Sequence, residues 1–170
     1  MHKAKRLFIT ALFSSIIFVM NFFVPPPINN LLIVVQAVAL ALAAFFVGKA
    51  GATYVGLAGG VLSALSRPAF GPFTFLFTFL YGILVDAFFF VFKVEPLESR
   101  VNQKRVILAM AFSTAIIGFT TYYTFATLTN ILPLNTMLAG LMLFLATGSG
   151  ITAGYAASYL WNKYLRNIQP

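Results

Sequence analysis

Short polar and proline-rich breaks cut this chain of 170 residues into six apolar runs, at residues 7–24, 30–47, 51–66, 73–92, 106–128 and 136–161. A helix that crosses a bilayer needs about 20 mostly apolar residues, because each residue rises 1.5 Å against a hydrocarbon core about 30 Å thick. Five runs approach that length and the third is short. Within lipid the backbone has no water to bond, so each run has to close its hydrogen bonds as a helix. The expected fold is all-α: one integral membrane domain, residues 1–170, built as a polytopic bundle of six transmembrane helices. A soluble alternative fails on composition, since 61% of residues are hydrophobic and only 8% charged, against roughly 25% charged in soluble domains.

The first run has a basic start and resembles a signal peptide. No small-x-small cleavage site follows it and five further runs do, so it reads as a retained span. Pro25, Pro26 and Pro27 end it, because their missing amides cannot continue a helix. Eleven Lys and Arg residues against three acids give a net charge of +8. In a soluble chain that balance would point to nucleic acid. Here it sorts by loop instead. With the N-terminus inside, Lys3, Lys5, Arg6, Lys49, Lys93, Arg100, Lys104, Arg105, Lys163 and Arg166 all fall on the cytoplasmic side, and Arg67 alone falls outside. The excess of basic residues on the inner side predicts a multi-pass cell-membrane protein with both termini cytoplasmic, and no nucleic-acid partner.

The inventory for catalysis is poor. Cysteine is absent and the single histidine is His2, which removes thiolate nucleophiles, Cys-based metal sites and the usual general base. No Walker loop, metal-ligand cluster, nucleophile elbow or inverted repeat is visible. The chain is expected to be neither an enzyme nor a metal or cofactor protein. Two charged residues still ask for roles. Arg67 is either a helix-end arginine snorkelling to the outer headgroups or a cation at the mouth of a solute site. Asp86 falls near the inner interface, where a partner such as Lys49 or Lys93 is a simpler expectation than a proton relay.

Small residues recur every four positions in several runs: Ala52, Gly56, Gly60 and Ala64; Ala146, Gly150, Gly154 and Ser158; Ala37 and Ala41; Ala11 and Ser15. Such ladders let helix backbones approach closely where lipid supplies no hydrophobic drive. Polar and aromatic residues gather in the outer halves of the fourth and fifth runs. Phe73, Phe77 and Tyr81 form one stripe, and Thr120, Tyr123, Thr127 and Asn130 share a face. One reading is an interfacial aromatic belt with threonines bonded to their own helix. The other is a small outward-opening cup suited to a small molecule.

The stretches ALALAAFFVGKAGATYVGLAGGVLSAL and RPAFGPFTFLFTFLYGILVD, with the Ala11/Ser15 pair and the Pro25–Pro27 turn, resemble the substrate-binding S component of an energy-coupling-factor (ECF) vitamin transporter. The likeness spans nearly the whole chain and is a profile of hydropathy and small residues. It implies a six-helix subunit that captures a vitamin or vitamin precursor from outside, then associates with a transmembrane coupling subunit and two cytoplasmic ATPase subunits. Carried over, Ala11 and Ser15 would contact the coupling subunit, with Ser15 replacing the family's usual alanine. Arg67, Phe70, Phe73, Thr74, Tyr123 and Asn135 would bind the solute. A structural membrane scaffold of similar size, with no small-molecule ligand, is the rival reading.

Overall fold

The computed structural model describes residues 3–23, 33–66, 71–94, 100–128 and 133–165. Among them the chain is all-helical, with six α-helices: α1 Lys3–Phe23, α2 Ile33–Val47, α3 Gly51–Ser66, α4 Gly71–Val91, α5 Gln103–Leu128 and α6 Thr136–Leu160. A π-helical turn, Trp161–Leu165, continues α6. Four helices (α1, α4, α5 and α6 with its extension) are long and apolar enough to cross a membrane. The helices α2 and α3 have 15 and 16 residues, about 22 and 24 Å at the standard rise.

The boundaries differ from the apolar runs where capping groups act. Asn102 Oδ1 accepts from the amide of Lys104 at 3.2 Å, so α5 starts three residues before its apolar run, on polar residues. Pro72 sits in the first turn of α4, where a missing amide costs nothing. Asn135 caps α6, its side chain accepting from the Met137 amide.

α2 is the hub. It packs against each of the other helices, while α1, α3, α4, α5 and α6 follow one another around it in an arc. Ala37, Leu40, Ala41 and Ala43 are fully buried and Phe45 nearly so. A helix that is apolar all round belongs in an interior, and the sequence of α2 has no polar face to offer elsewhere. At its C-terminal end Phe45 and Phe46 hold Trp161, with ring centroids 5.2 and 5.0 Å apart. Trp161 is buried, and its indole N–H has no hydrogen-bond partner among the described residues.

The arc closes through glycine. A Cβ on Gly82 of α4 would lie 2.5 Å from the Ala52 carbonyl of α3, and one on Gly56 would lie 2.7 Å from the Thr78 carbonyl. Gly150 and Gly154 of α6 meet the backbone of α5 in the same way, at Met110 and Ile107. Gly59 receives Ile17 of α1. The ladders of α2, α3 and α6 are thus internal. The α1 pair differs: Ala11 and Ser15 are both exposed, and Ser15 Oγ donates to the Ala11 carbonyl at 2.8 Å.

Buried polar groups tie neighbouring helices. Ser14 donates to the Val55 carbonyl at 3.3 Å and Asn21 Nδ2 to Ser63 Oγ at 3.1 Å, joining α1 to α3. Tyr81 and Thr114 lie 3.2 Å apart and join α4 to α5. Thr114 already donates to the Met110 carbonyl, so Tyr81 is the donor in that pair. Each bond offers a polar side chain a partner that lipid cannot provide.

Glycine contact makes a direct prediction. Gly82→Ala should destabilise the bundle by about 1–3 kcal/mol, the usual cost of overpacking. Gly148→Ala, where an added Cβ meets nothing within 4 Å, should be neutral or stabilise by up to about 1 kcal/mol through helix propensity. Thermal unfolding in detergent, followed by circular dichroism, checks both; equal effects would contradict the packing described.

Candidate functional site

The Gly71 end of α4 and the Leu128 end of α5 approach each other through phenylalanine. Phe73 and Phe77 lie one turn apart on α4 with ring centroids 6.5 Å apart, and both contact Phe125 of α5, at 6.0 and 6.1 Å. All three rings are half-buried. Thr74, also half-buried, lies beside Phe73 on the same helix end. This cluster is the densest aromatic grouping on the level where the sequence placed a solute cup.

Tyr123 lies elsewhere. It is exposed and stacks on Phe119 at 6.4 Å. Successive α-helical residues turn by about 100°, so Tyr123 and Phe125 leave α5 in nearly opposite directions. Thr124 and Thr127 donate to the carbonyls of Thr120 and Tyr123, one turn earlier in their own helix. Tyr122 and Ala126 are the buried residues of this stretch, and Tyr122 is the polar one. The Tyr122 hydroxyl lies 2.9 Å from the Pro133 carbonyl and 3.1 Å from that of Asn135, and accepts the Asn135 amide at 3.2 Å. Asn135 thus joins the end of α5 to the start of α6, and its own side chain is the α6 cap. Arg67 and Phe70 lie outside the described residues.

Two structural residues were missed by the sequence reading, Tyr122 and Phe125. A signal existed: they are spaced by three, on the face opposite to the Tyr123 stripe. Periodicity gives both faces equally and does not say which turns toward α4. Beside this level, Val61, Ala64, Leu65, Gly71, Pro72 and Phe75 line a shallow depression of about 370 Å³ between α3 and α4. Its walls are apolar throughout, a surface for hydrocarbon rather than for a polar solute.

At the other end of the bundle, Asp86 has a definite role. Its carboxylate accepts from the backbone amides of Ala52 at 3.2 Å and Thr53 at 2.7 Å, and from the Thr53 hydroxyl at 2.6 Å. These are orphan donors in the first turn of α3, which no intrahelical carbonyl can reach. The carboxylate also meets the positive end of the α3 dipole. Its partner is therefore a helix terminus, in place of the expected Lys49 or Lys93. From α1, Arg6 Nη2 donates to the Val47 carbonyl at the end of α2, at 3.0 Å. The turn between α2 and α3 is held on both sides. It needs holding, since Gly48 and Ala50 both adopt positive φ, 81° and 66°, and for alanine that conformation is unfavourable.

No family model, curated protein or solved structure matches this chain.

Asp86→Ala should lower stability in detergent by about 1–3 kcal/mol, the cost of leaving buried donors unpaired. Thr53→Val, which leaves both backbone bonds to Asp86 in place, should cost less. A melting temperature for Asp86→Ala equal to that of the parent would show that the cap contributes nothing.

Proposed function

We propose that this chain is the substrate-binding S component of an ECF-type importer, capturing a vitamin or vitamin precursor on the outer side of the membrane. In this reading all six helices are spans. The two shorter ones are accommodated by local thinning of the bilayer, at a modest cost per ångström of mismatch. The end that carries the basic residues is cytoplasmic, so both termini are inside. The Phe73, Phe77 and Phe125 cluster then faces the outer leaflet together with Thr74. Flat aromatic faces of this kind stack on a heteroaromatic ring or hold a cationic one. Of the other residues that the resemblance assigns to the solute, Arg67 and Phe70 lie outside the described residues, Tyr123 points away from Phe125, and Asn135 has its side chain engaged as the α6 cap.

One observation carries the reading. The small-residue ladders of α2, α3 and α6 are occupied by other helices of the chain, whereas Ala11 and Ser15 lie exposed on α1. A pair of small residues on an outward helix face, set among the exposed Leu7, Phe8, Leu12 and Val19, is suited to close approach by a helix from another protein. A transmembrane coupling subunit, itself driven by two cytoplasmic ATPase subunits, is the partner this fits. The lack of any catalytic set in the sequence favours a subunit that binds and is energised by others.

Mass spectrometry of the purified chain should find a co-purified metabolite of vitamin type, and calorimetry should show that it binds tightly in detergent. Ala11→Leu should then abolish uptake in cells that also make the coupling subunit and ATPases, while the isolated variant keeps its ligand. Loss of binding and uptake together would make the α1 pair internal to folding. Absence of any bound small molecule would favour the membrane scaffold instead.

Orientation has its own test. A cysteine at Asn29 should react with an impermeant thiol reagent on intact cells, and one at Asn102 should not. The opposite pattern would place the aromatic cluster on the inner side and end the proposal.

A further inference from the structure

Basic residues are dispersed along the sequence, but several meet in space at one sector of the bundle end. Arg105 Nη1 donates to the Lys93 carbonyl at 3.3 Å, joining the start of α5 to the end of α4. The Asn162 side chain grips both backbone groups of Val101, accepting its amide at 2.9 Å and donating to its carbonyl at 3.1 Å. These bonds draw the end of α4, residues 100–105 and the π-helical turn after α6 together. Lys93, Arg100, Lys104, Arg105 and Lys163 are all exposed there.

The charges in this sector are unopposed by any acid among the described residues, where the sole carboxylate, Asp86, is bound to the α3 amides. Glu95 and Glu98 lie outside the described residues; counting both against the five cations still leaves a net charge of +3. Lys163 donates to the Tyr159 hydroxyl at 2.7 Å. Its ammonium lies 5.1 and 5.2 Å from the ring centroids of Tyr159 and Tyr164. Both tyrosines are about half exposed, and such rings settle at headgroup depth, apolar face in and hydroxyl out.

We infer that this sector is a docking site for the headgroups of anionic phospholipids. The cations lie just before and in the first turn of α5, in the last turn of the α6 extension and beside the end of α4, the places where spanning helices meet lipid phosphates. Basic clusters in that position attract anionic lipid by roughly five-fold per charge. Lys163 is held between two rings before a lipid arrives, so binding costs it less side-chain freedom. The neighbouring sector, with Lys5, Arg6 and Lys49, is a weaker candidate. Lys5 is half-buried and the Arg6 guanidinium is already bonded to the α2 terminus. This site is separate from the solute-binding role and stands whether or not that role is correct.

The test uses the full chain in micelles of a neutral detergent, titrated with dioleoylphosphatidylglycerol or dioleoylphosphatidylcholine, with bound lipids counted by native mass spectrometry. Phosphatidylglycerol should be retained in preference to phosphatidylcholine. K104Q/K163Q should weaken phosphatidylglycerol binding by about tenfold or more. K5Q/K49Q, which removes the same charge, should change it by no more than about twofold. Circular dichroism of each variant establishes that it is folded, and R100Q/K163Q replaces the first pair if it is not. Equal losses from the two pairs would reduce the effect to diffuse attraction and overturn the site. So would equal retention of the two lipids by the parent chain.

Discussion

Close backbone contact at glycine is the interaction on which the bundle depends. Lipid tails are as apolar as leucine, so burying leucine between helices yields little in a membrane, and association rests on dispersion at short range and on interhelical hydrogen bonds. Gly56 and Gly82 bring α3 and α4 together, and Gly150 and Gly154 do the same for α5 and α6. A side chain at any of these four positions would overlap backbone atoms of its neighbour. The two pairs then flank α2, whose alanine-rich surface lets five helices pack around it.

This packing determines which polar groups have to be paired inside the protein. Tyr81 pairs with Thr114 across α4 and α5, and Asn21 with Ser63 across α1 and α3. The close glycine contact of α3 with α4 brings Asp86 to the first turn of α3. The Asp86 contact has a particular consequence. It holds a helix start that follows directly on a turn with two positive φ angles, where the backbone itself gives little support. A carboxylate from α4 and a guanidinium from α1 supply it, each matched to the dipole of the terminus it meets.

The same geometry distributes the exposed surface unevenly. The ladders of α2, α3 and α6 turn inward while the α1 pair stays exposed, and the hydrogen bonds of Asn162 and Arg105 concentrate cations at one sector. The first feature is the one proposed for a protein partner in the membrane, and the second the one proposed for lipid at its surface. The aromatic contact of Phe73, Phe77 and Phe125 at the far end is the third uneven feature, the one proposed for a solute. The proposals made above thus draw on three separate regions of a small bundle.

The amino-acid sequence by itself determined the helical class, the existence of all six helices and most of their limits, because apolar length and proline or glycine breaks act locally along the chain. It also determined which positions are small enough for close contact. Capping shifted the limits at Asn102, whose side chain extends α5 beyond the apolar run. What only the tertiary structure decided is direction. Periodicity marks the Tyr123 face and the Tyr122–Phe125 face of α5 equally well, and contact with α4 and with residues 133–135 selects the second. Likewise, a carboxylate at Asp86 asked for a positive partner, and a lysine was the nearest in composition. A helix terminus is positive too, but its location relative to α4 exists only once α3 has packed there, which no local property of the chain encodes.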